Sequence, residues 1–171
     1  MISKPNILMS LVVIASLVVV SCEKSVDSGL VPRYPPDTRD QVTISQGAWG
    51  NVWFWEGDFM PTTNPGGSSG RISPVVRTVY VYELTNIQQV DQVPYTPFYR
   101  AIYTNLVDSV QSNSTGFFQV AMDTGRYSFF IREDSLYYAN GFDGYSNILP
   151  AKIKKDSVSK VQIDITYLAT F

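Results

Sequence analysis

Polar and apolar residues alternate with a period of two along most of the chain after residue 41, and no stretch sustains the 3.6-residue repeat of a helix. The clearest case sets Val161, Ile163, Ile165 and Tyr167 on one side and Gln162, Asp164 and Thr166 on the other, the signature of a half-buried strand. The same alternation predicts strands over 42–56, 75–84, 117–122, 126–133 and 148–154. One more falls within 102–112, where Val107 and Val110 break the alternation. Asn113-Ser114-Thr115-Gly116 and Asp123-Thr124-Gly125 are short connections ending in glycine, which supplies the positive φ of hairpin loops, so 117–122 should pair antiparallel with both neighbours. Two longer loops, 57–71 and 140–147, interrupt the pattern. Short strands with Gly and Pro punctuation and no helices predict an all-β domain over 41–171, an antiparallel two-sheet β-sandwich of about seven strands.

The chain starts differently. An apolar run from Ile7 to Val20, broken only by Ser10 and Ser16, follows a single positive charge at Lys4. It is shorter than the ~20 residues of a membrane-crossing helix and matches the core of a signal peptide. Its end, Val19-Val20-Ser21-Cys22, resembles the lipobox of bacterial lipoproteins, with Val19 where leucine is usual. That resemblance implies that 1–21 is a cleaved signal peptide and that Cys22 carries diacylglycerol and an acylated amine. Cys22 is the only cysteine of the chain, and acylation accounts for a lone thiol in an oxidising compartment. Two or more acyl chains anchor stably where one does not. Residues 22–40, with Gly29, Pro32, Pro35 and Pro36 and no apolar periodicity, read as an extended tether. The expected partner through Cys22 is therefore a membrane, and the expected place a bacterial cell envelope. The mixed-charge start Glu23, Lys24 and Asp27 resembles the signals that some Gram-negative lipoproteins use to reach the outer face of the cell.

Charge excludes another class. With 13 basic and 15 acidic residues the chain is mildly acidic, which argues against nucleic acid as a partner. Lys152, Lys154, Lys155 and Lys160 cluster near the C-terminus but alternate with Ile153 and flank Asp156, as on a solvated strand edge.

The stretch Gly116-Phe117-Phe118-Gln119-Val120-Ala121-Met122-Asp123-Thr124-Gly125-Arg126-Tyr127-Ser128-Phe129-Phe130-Ile131 resembles the G-x-F-x-V-x-L-x-x-G-x-Y-x-x-x-V pattern of carboxypeptidase regulatory-like domains. Val79-Tyr80-Val81-Tyr82-Glu83 and 47–55 sit where such domains carry earlier strands. The resemblance implies a transthyretin-like sandwich; the long 57–71 loop and the aromatic segment 136–145 depart from it.

The chain has no histidine, which removes Ser-His-Asp and Cys-His nucleophiles, His-containing zinc sites and the two-His iron triad together. Hydroxyisourate hydrolases and intradiol dioxygenases, enzymes with related sandwiches, depend on histidines absent here. No cofactor or metal site is expected. Glu56 with Asp58, and Glu133 with Asp134, are the carboxylate pairs on which a hydrolase would have to rely, yet they lie at turns. The loop 140–147 is rich in oxygen-bearing side chains but lacks EF-hand spacing and reads as an Asx-stabilised turn. Trp49, Trp53 and Trp55 share one strand parity and are expected either to pack in the core or to form an aromatic platform. The expectation is a non-catalytic interaction or structural module whose partner is an envelope protein. The alternative is a surface glycan-binding lipoprotein using Trp53, Trp55, Tyr137, Tyr138, Phe142 and Tyr145.

Overall fold

The computed structural model describes residues 35–61 and 69–171. The segment expected to be a signal peptide, Cys22 and most of the expected tether lie outside the described residues, as does the middle of the 57–71 loop.

Eleven strands form among the described residues: β1 (Gly47–Asp58), β2 (Arg71–Pro74), β3 (Thr78–Glu83), β4 (Val90–Gln92), β5 (Phe98–Ile102), β6 (Leu106–Gln111), β7 (Phe117–Ala121), β8 (Gly125–Glu133), β9 (Leu136–Tyr138), β10 (Pro150–Ile153) and β11 (Val158–Thr170). They make a two-sheet β-sandwich, as the alternation predicts. In the four-stranded sheet β1 is central: β11 runs along one edge, while β7 and β2 share the other, β7 along 47–51 and β2 along 53–56. The seven-stranded sheet has the order β4-β5-β9-β8-β3-β6, with β10 pairing the first half of β8. Every pairing is antiparallel except β1 with β11, which run parallel in the register Gly50 opposite Val161.

That parallel contact dictates a residue. A Cβ built on Gly50 would lie 1.5 Å from the Val161 carbonyl oxygen, so only glycine lets the two backbones approach.

Alternation then builds the core. Ala48 and Val52, Val79 and Val81, Phe118 and Val120, Phe129 and Ile131, and Val161, Ile163 and Ile165 meet between the sheets, all nearly inaccessible to solvent. The outer face of the seven-stranded sheet is also buried, by a second cluster of Tyr82, Tyr99, Phe130, Ala139 and Ile148 under the segments around Ile87 and Leu149. Covering both faces of β3 and β8 with aromatic rings stabilises a small domain that has no disulfide among the described residues.

The structure differs from the predicted strands in two ways. Strand 42–56 begins only at Gly47, because the preceding segment is held by side chains instead of a ladder: the Thr43 N–H donates to Gln119 Oε1 at 2.9 Å, and Gln119 Nε2 donates to the Thr43 hydroxyl at 2.8 Å. Four short strands, β2, β4, β5 and β9, were hidden in sequence because each spans at most five residues, and Pro94 and Pro97 break the run between β4 and β5.

Candidate functional site

Strand β1 presents Trp49, Asn51, Trp53 and Trp55 on the face opposite Ala48 and Val52, outside the sandwich. They are nevertheless covered. Trp53 is 3% and Trp55 7% exposed. Trp55 Nε1 donates to Asp164 Oδ1 at 3.0 Å, and its ring packs on Phe59 and Phe171. Lys160 Nζ lies 5.1 Å from the Trp49 ring centroid, a cation–π contact. Residues 35–41 cross this face, the Thr38 hydroxyl accepting from Asn51 Nδ2 at 2.8 Å. Beside them a groove of about 260 Å³ is lined by Pro35, Asp37, Asn51, Trp53, Lys160 and Gln162. It is below the ~300 Å³ at which small-molecule pockets begin. The tryptophans are therefore a packed layer and do not form an open platform.

Tyr137 and Tyr138 point to opposite sides of β9. Tyr138 is fully buried between the sheets; its hydroxyl accepts from the Thr166 N–H at 2.9 Å and donates to the Asp164 carbonyl at 3.3 Å. Burial pushes its ionisation above the usual phenol value. Tyr137 is half-buried on the outer face of the seven-stranded sheet, where its hydroxyl lies 3.1 Å from that of Tyr82 and the Arg132 guanidinium sits 5.5 Å above its ring.

Phe142 and Tyr145 stand out in the β9–β10 connection, 52% and 81% exposed. The loop that carries them is tightly made. Asp143 Oδ1 accepts from the Tyr145 N–H at 2.9 Å and the Asn147 N–H at 3.0 Å; Oδ2 accepts from Asn147 Nδ2 at 2.9 Å and Arg126 Nη2 at 3.0 Å. These bonds, the Asn147 side chain first among them, hold the Asp143 carboxyl below the usual range. Asn86 Nδ2 donates to the Tyr145 carbonyl at 2.8 Å, and the Ile87 N–H donates to the Ser146 carbonyl at 3.0 Å, tying the loop to its neighbour. This is an Asx-type turn whose acid is saturated by donors. The six aromatic residues singled out in sequence thus fall into separate places: Trp53 and Trp55 under residues on one outer face, Tyr138 in the core, Tyr137 on the other outer face, and Phe142 and Tyr145 on a loop.

No family model, no curated protein and no solved structure matches this chain. Its chemistry must be read from its own residues. Among the described residues no three His, Cys, Asp or Glu side chains gather as a metal site. Glu133 is 9% exposed and engaged: Arg77 Nε donates to one oxygen, and the Tyr167 hydroxyl donates to the other at 2.8 Å. The Glu133 hydrogen bond raises the Arg77 pKa, and burial with Glu133 pushes Tyr167 up to about 12. Asp134 follows in the left-handed region, φ +51°, at the turn into β9. Glu56 lies 4.0 Å from Arg71, and Asp58 accepts from the Met60 N–H at 2.8 Å. Glu133, Glu56 and Asp58 each have a structural partner in the fold. Sequence reading missed the Arg77–Glu133–Tyr167 knot, because its members are 56 and 34 residues apart and meet only through the sandwich.

Proposed function

We propose that the protein is a lipoprotein of a bacterial cell envelope, held at the outer membrane by acylated Cys22, whose sandwich is a non-catalytic interaction module of the carboxypeptidase regulatory-like, transthyretin-like kind. The observation that carries the anchor is the run Ile7 to Val20 ending in Val19-Val20-Ser21-Cys22, with the only cysteine of the chain at its end. Support for interaction over catalysis comes from what the chain offers to solvent. It has no histidine, Glu133, Asp143 and Asp164 are held in structural contacts, and its β9–β10 loop holds two aromatic rings outward on a hydrogen-bonded frame. Rigid exposed aromatics give contact area at small entropic cost, which is what interface anchors require.

The same rings favour a second reading, a glycan-binding surface. Phe142 and Tyr145 would then stack on sugar faces without Trp53 and Trp55, which are covered.

Metabolic acyl-chain labelling of wild type and Cys22→Ala, with protease shaving of intact cells, tests the anchor. Label lost in Cys22→Ala supports it; membrane retention without label in either chain overturns it. Binding of envelope polysaccharide by the full chain, abolished in Phe142→Ala/Tyr145→Ala, would select the glycan reading over a protein partner.

A further inference from the structure

Strand β11 is the longest of the fold, 13 residues, and lies at an edge of its sheet with only β1 beside it. Long edge strands are templates for another chain and are normally blunted. Here the C-terminal part is closed by side chains, while the upstream part carries a single lysine, Lys160. The Tyr138 hydroxyl occupies the Thr166 N–H and the Asp164 carbonyl, Asn140 Nδ2 donates to the Thr166 hydroxyl at 2.6 Å, and the β1 register shifts between Phe54 and Glu56. Upstream, from Val158 to Asp164, no strand or backbone segment among the described residues pairs with that edge.

The Tyr138 contacts also fix which backbone groups face outward. Since Asp164 and Thr166 turn theirs away from β1, so do Lys160 and Gln162, whereas the Val161 carbonyl faces Gly50. Two antiparallel copies of such an edge pair about a two-fold axis perpendicular to the sheet. With the axis at Gln162, Lys160 of one copy stands opposite Asp164 of the other, twice. Asp164 is half-buried, accepts from Trp55 and Gln162, and has no cation within 4 Å among the described residues, while Lys160 is half-exposed, 3.5 Å from the exposed Asp37. Burial raises its pKa, as expected for an acid lacking a counter-charge. An axis one residue earlier, at Val161, would set Lys160 against Gln162 and Asp164 against Val158, leaving the acid unpaired in an interface.

We infer that β11 is a homodimer edge, on which a second copy of this chain adds its own β11 antiparallel about Gln162. With the Asp164 carbonyl of each copy taken by Tyr138, the pairing supplies roughly four main-chain hydrogen bonds over three facing residue pairs, with a cross-strand Lys160–Asp164 contact at each end. The two-fold places the same outer face of both copies on one side. Pro35 borders the groove that also holds Lys160 and Gln162, so Pro35 of both copies lies on that side near the axis.

Site-directed disulfide trapping in intact cells expressing the full chain tests the inference. Facing residues in such a pair have Cα atoms about 5.5 Å apart, inside the 4.4–6.8 Å span of a disulfide. Under a permeant oxidant, Gln162→Cys should give a covalent dimer several-fold above wild type, whose sole cysteine is Cys22. Lys160→Cys, four residues from its own copy in this register, and Ser109→Cys, on β6 at an edge of the seven-stranded sheet, should stay at the wild-type level. Charge reversal Lys160→Asp in the Gln162→Cys chain should lower the dimer about fivefold, and adding Asp164→Lys should restore it. Trapping at 162 no stronger than at 109 overturns the inference. Should Gln162→Cys fail to accumulate, co-expressed Lys160→Cys and Asp164→Cys chains decide: a mixed dimer supports the register, and its absence refutes it.

Discussion

Tyr99→Phe should change sign with pH. Tyr99 is fully buried, its ring edge-to-face with Phe130 at 5.7 Å, and its hydroxyl reaches only the Ala139 carbonyl at 3.5 Å. A hydrogen bond that long is weak, so at pH 8 the substitution should cost no more than about 1 kcal/mol. Burial, with the neighbouring Tyr138, pushes the Tyr99 phenol from 10 up to about 12. Because the folded value lies above the unfolded one, the stability linked to the neutral phenol is complete below pH ~10 and is lost as pH rises through about 12. Two units correspond to about 2.7 kcal/mol in full, and about 1.4 kcal/mol is already lost at pH 11. Phenylalanine has nothing to ionise and escapes that loss. Urea unfolding followed by tryptophan fluorescence at pH 8 and pH 11 should therefore show the variant slightly less stable at pH 8 and equal or more stable at pH 11, the difference moving by about 1.4 kcal/mol. An unchanged difference between the two conditions would refute the reasoning.

The sandwich was legible because burial of one strand face writes a period of two into the sequence, and Val161, Ile163 and Ile165 show it plainly. β9 was not, because Leu136–Tyr138 is too short to show a period and sits inside a run of aromatics that reads as loop. The parallel β1–β11 pairing was not legible either, since alternation reports which face is buried and says nothing of strand direction; only Gly50 marks the close approach. For the candidate residues, the limit is again geometric. Period two places Trp53 and Trp55 away from the inter-sheet core, yet Phe59, Phe171 and residues 35–41 cover that outer face through contacts no local pattern encodes. Phe142 and Tyr145 were readable as loop residues because Asn, Gly, Asp and Ser surround them, and the Asp143 frame that makes the loop rigid uses the most local of hydrogen bonds.

Gly50→Ala should destabilise the domain by about 3 kcal/mol or more, the upper end of overpacking costs, because the clash is with the Val161 backbone and not with a side chain that could turn away. A change in urea midpoint equivalent to less than about 1 kcal/mol would show that the parallel ladder yields more than its register implies. Acid should loosen the β9–β10 loop before the core. The donors around Asp143, led by Asn147, hold its folded pKa below the 3.8 of an ordinary aspartate, so the order they supply is complete above pH ~4 and lost as pH falls through the lower folded value. Asp143→Asn should produce the loosened loop at neutral pH: its Oδ1 can still accept from the Tyr145 and Asn147 amides, but a nitrogen at the other position presents hydrogens to Asn147 Nδ2 and Arg126 and loses both partners. Amide hydrogen exchange at Tyr145 and Asn147 is the measurement, read against Phe129 and Ile131 in the core. Faster exchange in the loop alone supports the frame as what holds Phe142 and Tyr145 outward. Equal acceleration in loop and core would mean that the loop opens only with the whole domain, and that Asp143 is not what presents those rings.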